Sequence, residues 1–220
     1  MVGRDSMEEL ISHLLFIGRG IVLTLQLLSG GLLLGLVLGT ILSILRYNGI
    51  AVGILNRIIS ICRGTPLILQ LSFVYFAIPG FIGTKLDVST AGIITFGLNS
   101  SAYIAEILRA GIESLPKGQF EAAKTLHIPS FHLWKDIILP QVIQHVLPAM
   151  INESIALLKE TALIATIGGM DLMRKAQILG AEQFTYFMPL CIAGGYYYAL
   201  VLFIETVGKK IETRGYYVKS

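Results

Sequence analysis

Charge is scarce in this sequence of 220 residues: 14% are Asp, Glu, Lys or Arg, against 54% that are hydrophobic. Soluble domains carry about 25% charged residues, so a soluble fold of this size would lack the side chains to wet its surface. Tryptophan occurs once and cysteine twice. Cys62 and Cys191 fall in different apolar segments, offer neither a disulfide framework nor a CxxC pair, and read as buried small hydrophobes. No P-loop pattern is present to cradle phosphate. No His/Cys/Asp/Glu spacing suits a metal, and no triad-like or paired-carboxylate arrangement suits covalent chemistry. The formal charge of +3 is too small and too dispersed for nucleic acid, and zinc-finger and aromatic-basic patterns are missing. The short segments of alternating polarity that a membrane barrel needs are missing too. The first nine residues lack the basic region, apolar core and cleavage site of a secretory signal. The first hydrophobic span is therefore expected to act as an uncleaved membrane signal.

What is abundant is apolar sequence, gathered into tracts. Mean hydropathy is +0.73, and the charges cluster, leaving runs of about 20 residues that can each cross about 30 Å of hydrocarbon. The pattern predicts an all-α integral membrane protein, a single domain over 1–220. About five crossings are expected, at 14–45, 60–81, 88–108, 137–167 and 184–207. In the first, Gly31, Gly35 and Gly39 recur every fourth residue, a spacing that permits close helix approach in lipid but is also simply common in membrane helices. Pro66 suits a first helical turn. The fourth crossing is broken by Pro140, Pro148, Glu153, Lys159 and Glu160. Between the third and fourth, segment 113–132 is charged and predicts a short amphipathic helix. The segments around Arg46–Arg63 and Arg109–Lys135, with the tail (Lys209, Lys210, Arg214, Lys219), hold more Lys and Arg than those holding Arg4, Lys85, Lys159, Arg174 and Lys175. The positive-inside rule then puts the N-terminus outside and the C-terminus in the cytoplasm of a multi-pass cell-membrane protein.

Within the charged segment stand Glu121-Ala122-Ala123, three residues, His127, nine residues, then Ile137-Ile138-Leu139-Pro140. This resembles the Glu-Ala-Ala signature of permease subunits in binding-protein-dependent ABC importers, with His127 where that family usually has Gly. The stretches Arg63–Leu67, Asn99–Glu106, Arg109–Gln119, Asn152-Glu153 and Leu158–Leu163 are similar to the polar amino acid branch of the family, and together they cover nearly the whole length. The resemblance implies a type I importer transmembrane domain with a cytoplasmic coupling helix and a second permease subunit of the same or similar chain. It also implies two cytoplasmic ATPase subunits using ATP and Mg, an extracytoplasmic amino-acid-binding protein, and a polar amino acid as solute. No cofactor or catalysis is expected of this chain, and no nucleic acid.

The resemblance assigns coupling to the ATPase to Glu121, Ala122, Ala123 and His127, with Glu121 making charged contacts and the alanines allowing close approach. The alternative is an interfacial helix resting on headgroups. Ionised groups are costly against hydrocarbon, so Glu153, Lys159 and Glu160 should face protein or a wet cavity. Asn99, Ser100, Gln70 and Arg63 complete the candidate substrate path. Structural ion pairs, interhelical hydrogen bonds and, for Arg63, snorkelling are the competing explanations. Glu153 points to a cationic amino acid. A non-transporting membrane anchor or signalling subunit for an ATPase is the alternative function. A secondary transporter would need internal repeats, and none is evident.

Overall fold

The computed structural model describes residues 2–216, and all its regular elements are helical. In chain order these are α1 (Val2–Gly18), α2 (Ile21–Tyr47), α3 (Val52–Gly64), α4 (Leu67–Ser72), α5 (Ile78–Ile82), α6 (Val88–Glu113), α7 (Lys117–Thr125), α8 (Ser130–His132), α9 (Leu139–Glu160), α10 (Leu172–Glu182) and α11 (Phe187–Tyr216). Lys219 and the side chains of Arg4 and Arg214, used above to orient the chain, lie outside the described residues.

Helix α2 is built inside out. Its buried positions are Thr24, Leu27, Leu28, Gly31, Gly35, Gly39 and Ser43, a stripe at three- and four-residue spacing that ends in small and polar residues. Leu33, Leu36, Val37, Ile41 and Ile44 face outward and are exposed. In water that outer face would be a large sticky patch. In hydrocarbon it costs nothing, and helices associate instead through close packing of small residues. Helix α6 supplies the other half of the contact, burying Gly92, Thr95, Gly97, Asn99, Ser100, Ser101, Ala102 and Ala105. A Cβ added at Gly39 would lie 2.8 Å from the Ser101 carbonyl oxygen, and one at Gly35 would lie 2.9 Å from the Ser100 Cβ. The glycine spacing therefore marks a real interface. Helix α6 starts at Asp87, whose carboxylate accepts from the Thr90 amide at 3.0 Å and from the Thr90 hydroxyl. Those bonds hold the Asp87 carboxyl below its usual range.

Three helical stretches are long and apolar enough to cross a bilayer: Met7–Tyr47, Val88–Glu113 and Phe187–Thr213. A fourth arises if Val52–Gly64 and Leu67–Phe81, which meet at 103°, count as one span. The expected second crossing at 60–81 is thus not a straight helix. Pro66 excludes helical geometry at Thr65, which is extended at φ −112°, ψ 145°. The expected run 137–167 also divides. Helix α9 ends at Glu160, a tight 3-10 stretch follows over Thr161–Ile167, and Gly168 turns the chain at φ +89°. The first run extends well beyond 14–45: the 41 residues of Met7–Tyr47 measure roughly 60 Å at helical rise.

The remaining helices complete the bundle. Leu27, Leu71, Phe96, Leu157, Leu158 and Ile164 form the main core. Helices α1, α10 and α11 share a smaller one around Ile17, Leu172, Ala176 and Ile192. The three consecutive tyrosines separate as helix geometry requires: Tyr196 donates to the Leu14 carbonyl, Tyr197 donates to the buried Asp171 carboxylate, each at 3.0 Å, and Tyr198 is exposed. The cysteine expectation is corrected. Cys191 is exposed and Cys62 only partly buried, because α11 turns its outer face, Cys191 included, away from the bundle.

Replacing Gly39 with Val should lower stability in detergent by about 1–3 kcal/mol through overpacking. Gly53, which has nothing within 4 Å of an added Cβ, should accept Ala within about 0.5 kcal/mol. Thermal unfolding of the purified protein reads both.

Candidate functional site

Polar groups inside the bundle concentrate between α6 and α9. Ser100, fully buried on α6, donates to Glu153 Oε1 on α9 at 2.7 Å. Asn99 is 4% exposed and has no hydrogen-bond partner among the described residues. Glu160 lies seven residues beyond Glu153 on the same helix, two turns or roughly 10 Å further along one face. Of the expected path residues, Ser100, Glu153 and Glu160 therefore share one region, and Asn99 is buried next in sequence to Ser100.

The others do not join them. Gln70 Nε2 donates to the Cys62 carbonyl at 2.7 Å and to the Thr65 hydroxyl at 2.8 Å. It satisfies groups freed by the break between α3 and α4, which is a structural task. Lys159 is exposed and lines a separate cleft beside Met173, Gly194 and Tyr197. Arg63 stands at the end of α3, 3.5 Å from Glu106 Oε2, with its guanidinium 5.3 Å from the centre of the Tyr103 ring.

Glu106 is the residue that sequence reasoning undervalued. Its carboxylate accepts from Arg46 of α2 and from Arg109 of its own helix, at 3.2 Å from Nε and 2.9 Å from Nη2, with Arg63 close by. Arg109 also pairs with Glu113. One carboxylate thus ties the ends of α2, α3 and α6. The spacing Glu106, Arg109, Glu113 on one helix face was a local signal. The Arg46 contact spans 60 residues of sequence and left none.

The short helix α7 lies at the same end of the bundle. Phe120 packs with Leu115, Leu133, Trp134, Ile138 and Val142. Trp134 also meets Tyr47 edge-on at 4.8 Å. Gln119 and Gln141 exchange two amide hydrogen bonds of 3.0 and 2.9 Å, so α7 is fastened to the ends of α2, α6 and α9. Glu121, Ala122 and His127 are exposed, whereas Ala123 is 3% exposed and packed against its own chain. Of the two alanines only Ala122 is open to a partner. Helix α7 ends in a Schellman turn: the Ile128 amide reaches the Ala123 carbonyl at 2.9 Å, and His127 adopts φ +51°. That left-handed position is the one glycine favours.

Small and polar residues inside, large apolar residues outside, and a carboxylate–hydroxyl pair between central helices define a multi-pass helical membrane protein with a polar interior. Residues 31–214 match the family of binding-protein-dependent transport system inner membrane components. The chain is 49% identical over 203 residues to the putative glutamine transport system permease protein GlnP of Rickettsia typhi, covering 91% of this chain and 93% of that one. It is 41% identical over 206 residues to the arginine transport system permease protein ArtQ of Bacillus subtilis, covering 93% and 94%. Among solved structures, an amino acid ABC transporter crystallised with histidines superposes with a TM-score of 0.86 at 32% identity, covering 94% of this chain and 97% of that one. The MetNI methionine transporter, at 19% identity and a TM-score of 0.77 over 91% of this chain and 96% of that one, shares the fold. The chain belongs to the binding-protein-dependent transport system inner membrane component family, as a non-catalytic permease subunit.

Two outcomes follow. Glu106→Gln should cost about 1–3 kcal/mol by leaving charged donors under-paired, read as a lower melting temperature. His127→Gly should raise the melting temperature by relieving a left-handed backbone strain of about 1–2 kcal/mol, while His127→Val should lower it.

Proposed function

We propose that this chain forms the translocation path of an ATP-driven importer for polar amino acids, with a preference for basic ones. The observation that carries the reading is the Ser100–Glu153 pair between α6 and α9, with Asn99 buried beside Ser100 and Glu160 two turns from Glu153. A carboxylate in a low-dielectric path stays ionised readily only with compensation. A guanidinium or ammonium passing between the helices would supply it, and the amide of Asn99 offers further hydrogen bonds. The similarity to relatives named for arginine and glutamine transport, and to an amino acid transporter crystallised with histidines, supports the same solute class.

In this reading the chain crosses the membrane about five times. The bent α3–α5 segment and α9 complete the three long apolar stretches. Helix α9 has 22 residues, roughly 33 Å at helical rise. It is less apolar than the others because Gln144, Glu153 and Glu160 would face the path, while Gln141 holds α7. The N-terminus lies outside and the α7 end is cytoplasmic, where arginines predominate. Helix α7 is the coupling element. Its fastening by Phe120, Trp134 and the Gln119–Gln141 pair suits it to pass ATPase closure rigidly to α2, α6 and α9. Glu121, Ala122 and the His127 turn meet the ATPase, while Ala123 seats the helix on its own chain. The complex would hold two permease subunits, two ATPases that use ATP and Mg, and an extracytoplasmic receptor. A non-transporting anchor would have no use for Glu153 inside the bundle.

Uptake of labelled arginine, glutamine and glutamate into vesicles holding the full importer tests the reading, with Glu153→Gln as the variant. Arginine should be carried, and the substitution should reduce arginine uptake roughly tenfold or more while affecting glutamine less. Failure to carry arginine, or an equal fall for all three, would sink the basic preference.

A further inference from the structure

A cleft of about 850 Å3 opens between α6 and α9, lined among others by Arg63, Tyr103, Glu106, Arg109, Ser114 and His145. It continues the polar seam of Ser100 and Glu153 toward α7. Glu106 lies six residues beyond Ser100 and His145 eight before Glu153, which is roughly 9–12 Å along each helix.

Among the described residues that line this cleft, Arg63 and Arg109 are cationic and Glu106 is the one carboxylate. Arg46 also reaches Glu106, from outside the cleft, and Glu113 pairs with Arg109. Arg46 and Arg109 both make hydrogen bonds to Glu106. Arg63 makes none among the described residues: it has a 3.5 Å ion pair and a ring to rest on. Its side chain is 42% exposed. A guanidinium has five N–H donors in a planar fork that matches a carboxylate; here Nη1 faces Glu106 at 3.5 Å, and no hydrogen bond among the described residues occupies the rest of the fork.

The other wall offers an acceptor. Ser114 donates its one hydroxyl proton to the Gly111 carbonyl at 2.8 Å, so its contact with His145 Nδ1 at 2.8 Å must be one in which the ring N–H donates. In the Nδ1–H tautomer of the ring, Nε2 is an acceptor. A cleft with a guanidinium that makes no hydrogen bond among the described residues and an imidazole that accepts at Nε2 in its Nδ1–H tautomer has the chemistry to hold a zwitterion.

We propose that this cleft is a second binding station for an amino acid, with Arg63 taking the α-carboxylate and His145 Nε2 the ammonium group. The inference rests on the reading of the chain as an amino-acid permease. In this arrangement the solute's side chain is recognised at Glu153, and its backbone groups are recognised at Arg63 one step nearer the α7 end. The device suits passage of solutes that differ in side chain but share a carboxylate.

The test is equilibrium binding of labelled arginine to the permease–ATPase complex, without receptor, in phosphatidylcholine nanodiscs. Two arginines should bind per permease chain, and agmatine, which is arginine without its carboxylate, should bind once. Arg63→Gln should weaken one of the two arginine sites by roughly tenfold or more and leave agmatine unchanged, while Glu153→Gln should remove the other. Equal stoichiometry for arginine and agmatine on the unmodified protein would overturn the station, whether or not Arg63→Gln folds. So would an arginine stoichiometry that ignores Arg63→Gln. Adding phosphatidylglycerol separates the other source of an anion: a headgroup retained through Arg63, with arginine binding indifferent to that residue, also overturns the proposal. If no arginine binds anywhere, the basic preference fails, and labelled glutamine carries the same test: loss of a glutamine site in Arg63→Gln supports the station, and no loss, or no glutamine binding at all, overturns it.

Discussion

The close approach of α2 to α6 is the contact on which the rest of the molecule hangs. Between membrane helices there is no hydrophobic drive to associate, because lipid is as apolar as leucine. What remains is shape, and the shape is set by Gly31, Gly35 and Gly39 lying against Phe96, Ser100, Ser101 and Ile104. With α2 flat against α6, Arg46 arrives at Glu106 and α9 packs beside α2, so that Ser100 meets Gly35 of α2 and Glu153 of α9. Gly111 belongs to the same logic, since a Cβ there would meet Val146 of α9 at 2.2 Å. Helix α6 thereby becomes the shared centre, and every polar group of the seam is either on it or facing it.

Irregular backbone inside such a bundle has to be satisfied locally, and the chain does this at each break. Gln70 bonds the carbonyls at the corner after α3. Asp171 caps α10 by accepting from the Arg174 amide at 2.8 Å and also receives Tyr197. The π-helical turns at Phe73–Ala77 and Leu133–Ile138 keep their hydrogen bonds within the helix while displacing one residue. The second of these carries Trp134, the side chain on which α2, α7 and the start of α9 converge.

Much of the candidate site was legible. The Glu-Ala-Ala register located the short helix, and the anomaly of His127 in a glycine position coincides with its left-handed backbone. Glu153, Ser100 and Asn99 stood out because polar residues in an apolar tract need a reason. Gln70 stood out equally and bonds the corner between α3 and α4, since an amide that caps a helix break and any other buried amide look the same in a string of letters. Lys159 and Glu160 were both expected to face protein or a wet cavity because charge is costly in hydrocarbon, but consecutive helix positions point some 100° apart, and Lys159 lines a separate cleft.

By itself the sequence determined the membrane class, the helical period of each tract and the residues that could not face lipid, because these follow from transfer free energies and local geometry. The tertiary structure alone decided which polar groups meet. Glu106 acquires Arg46 and Arg63 from helices far away in sequence, and Ala123 turns inward while its neighbour Ala122 turns out. Such pairings depend on how helices of similar composition pack side by side, and that is set by the summed fit of many small contacts that no single stretch of residues encodes.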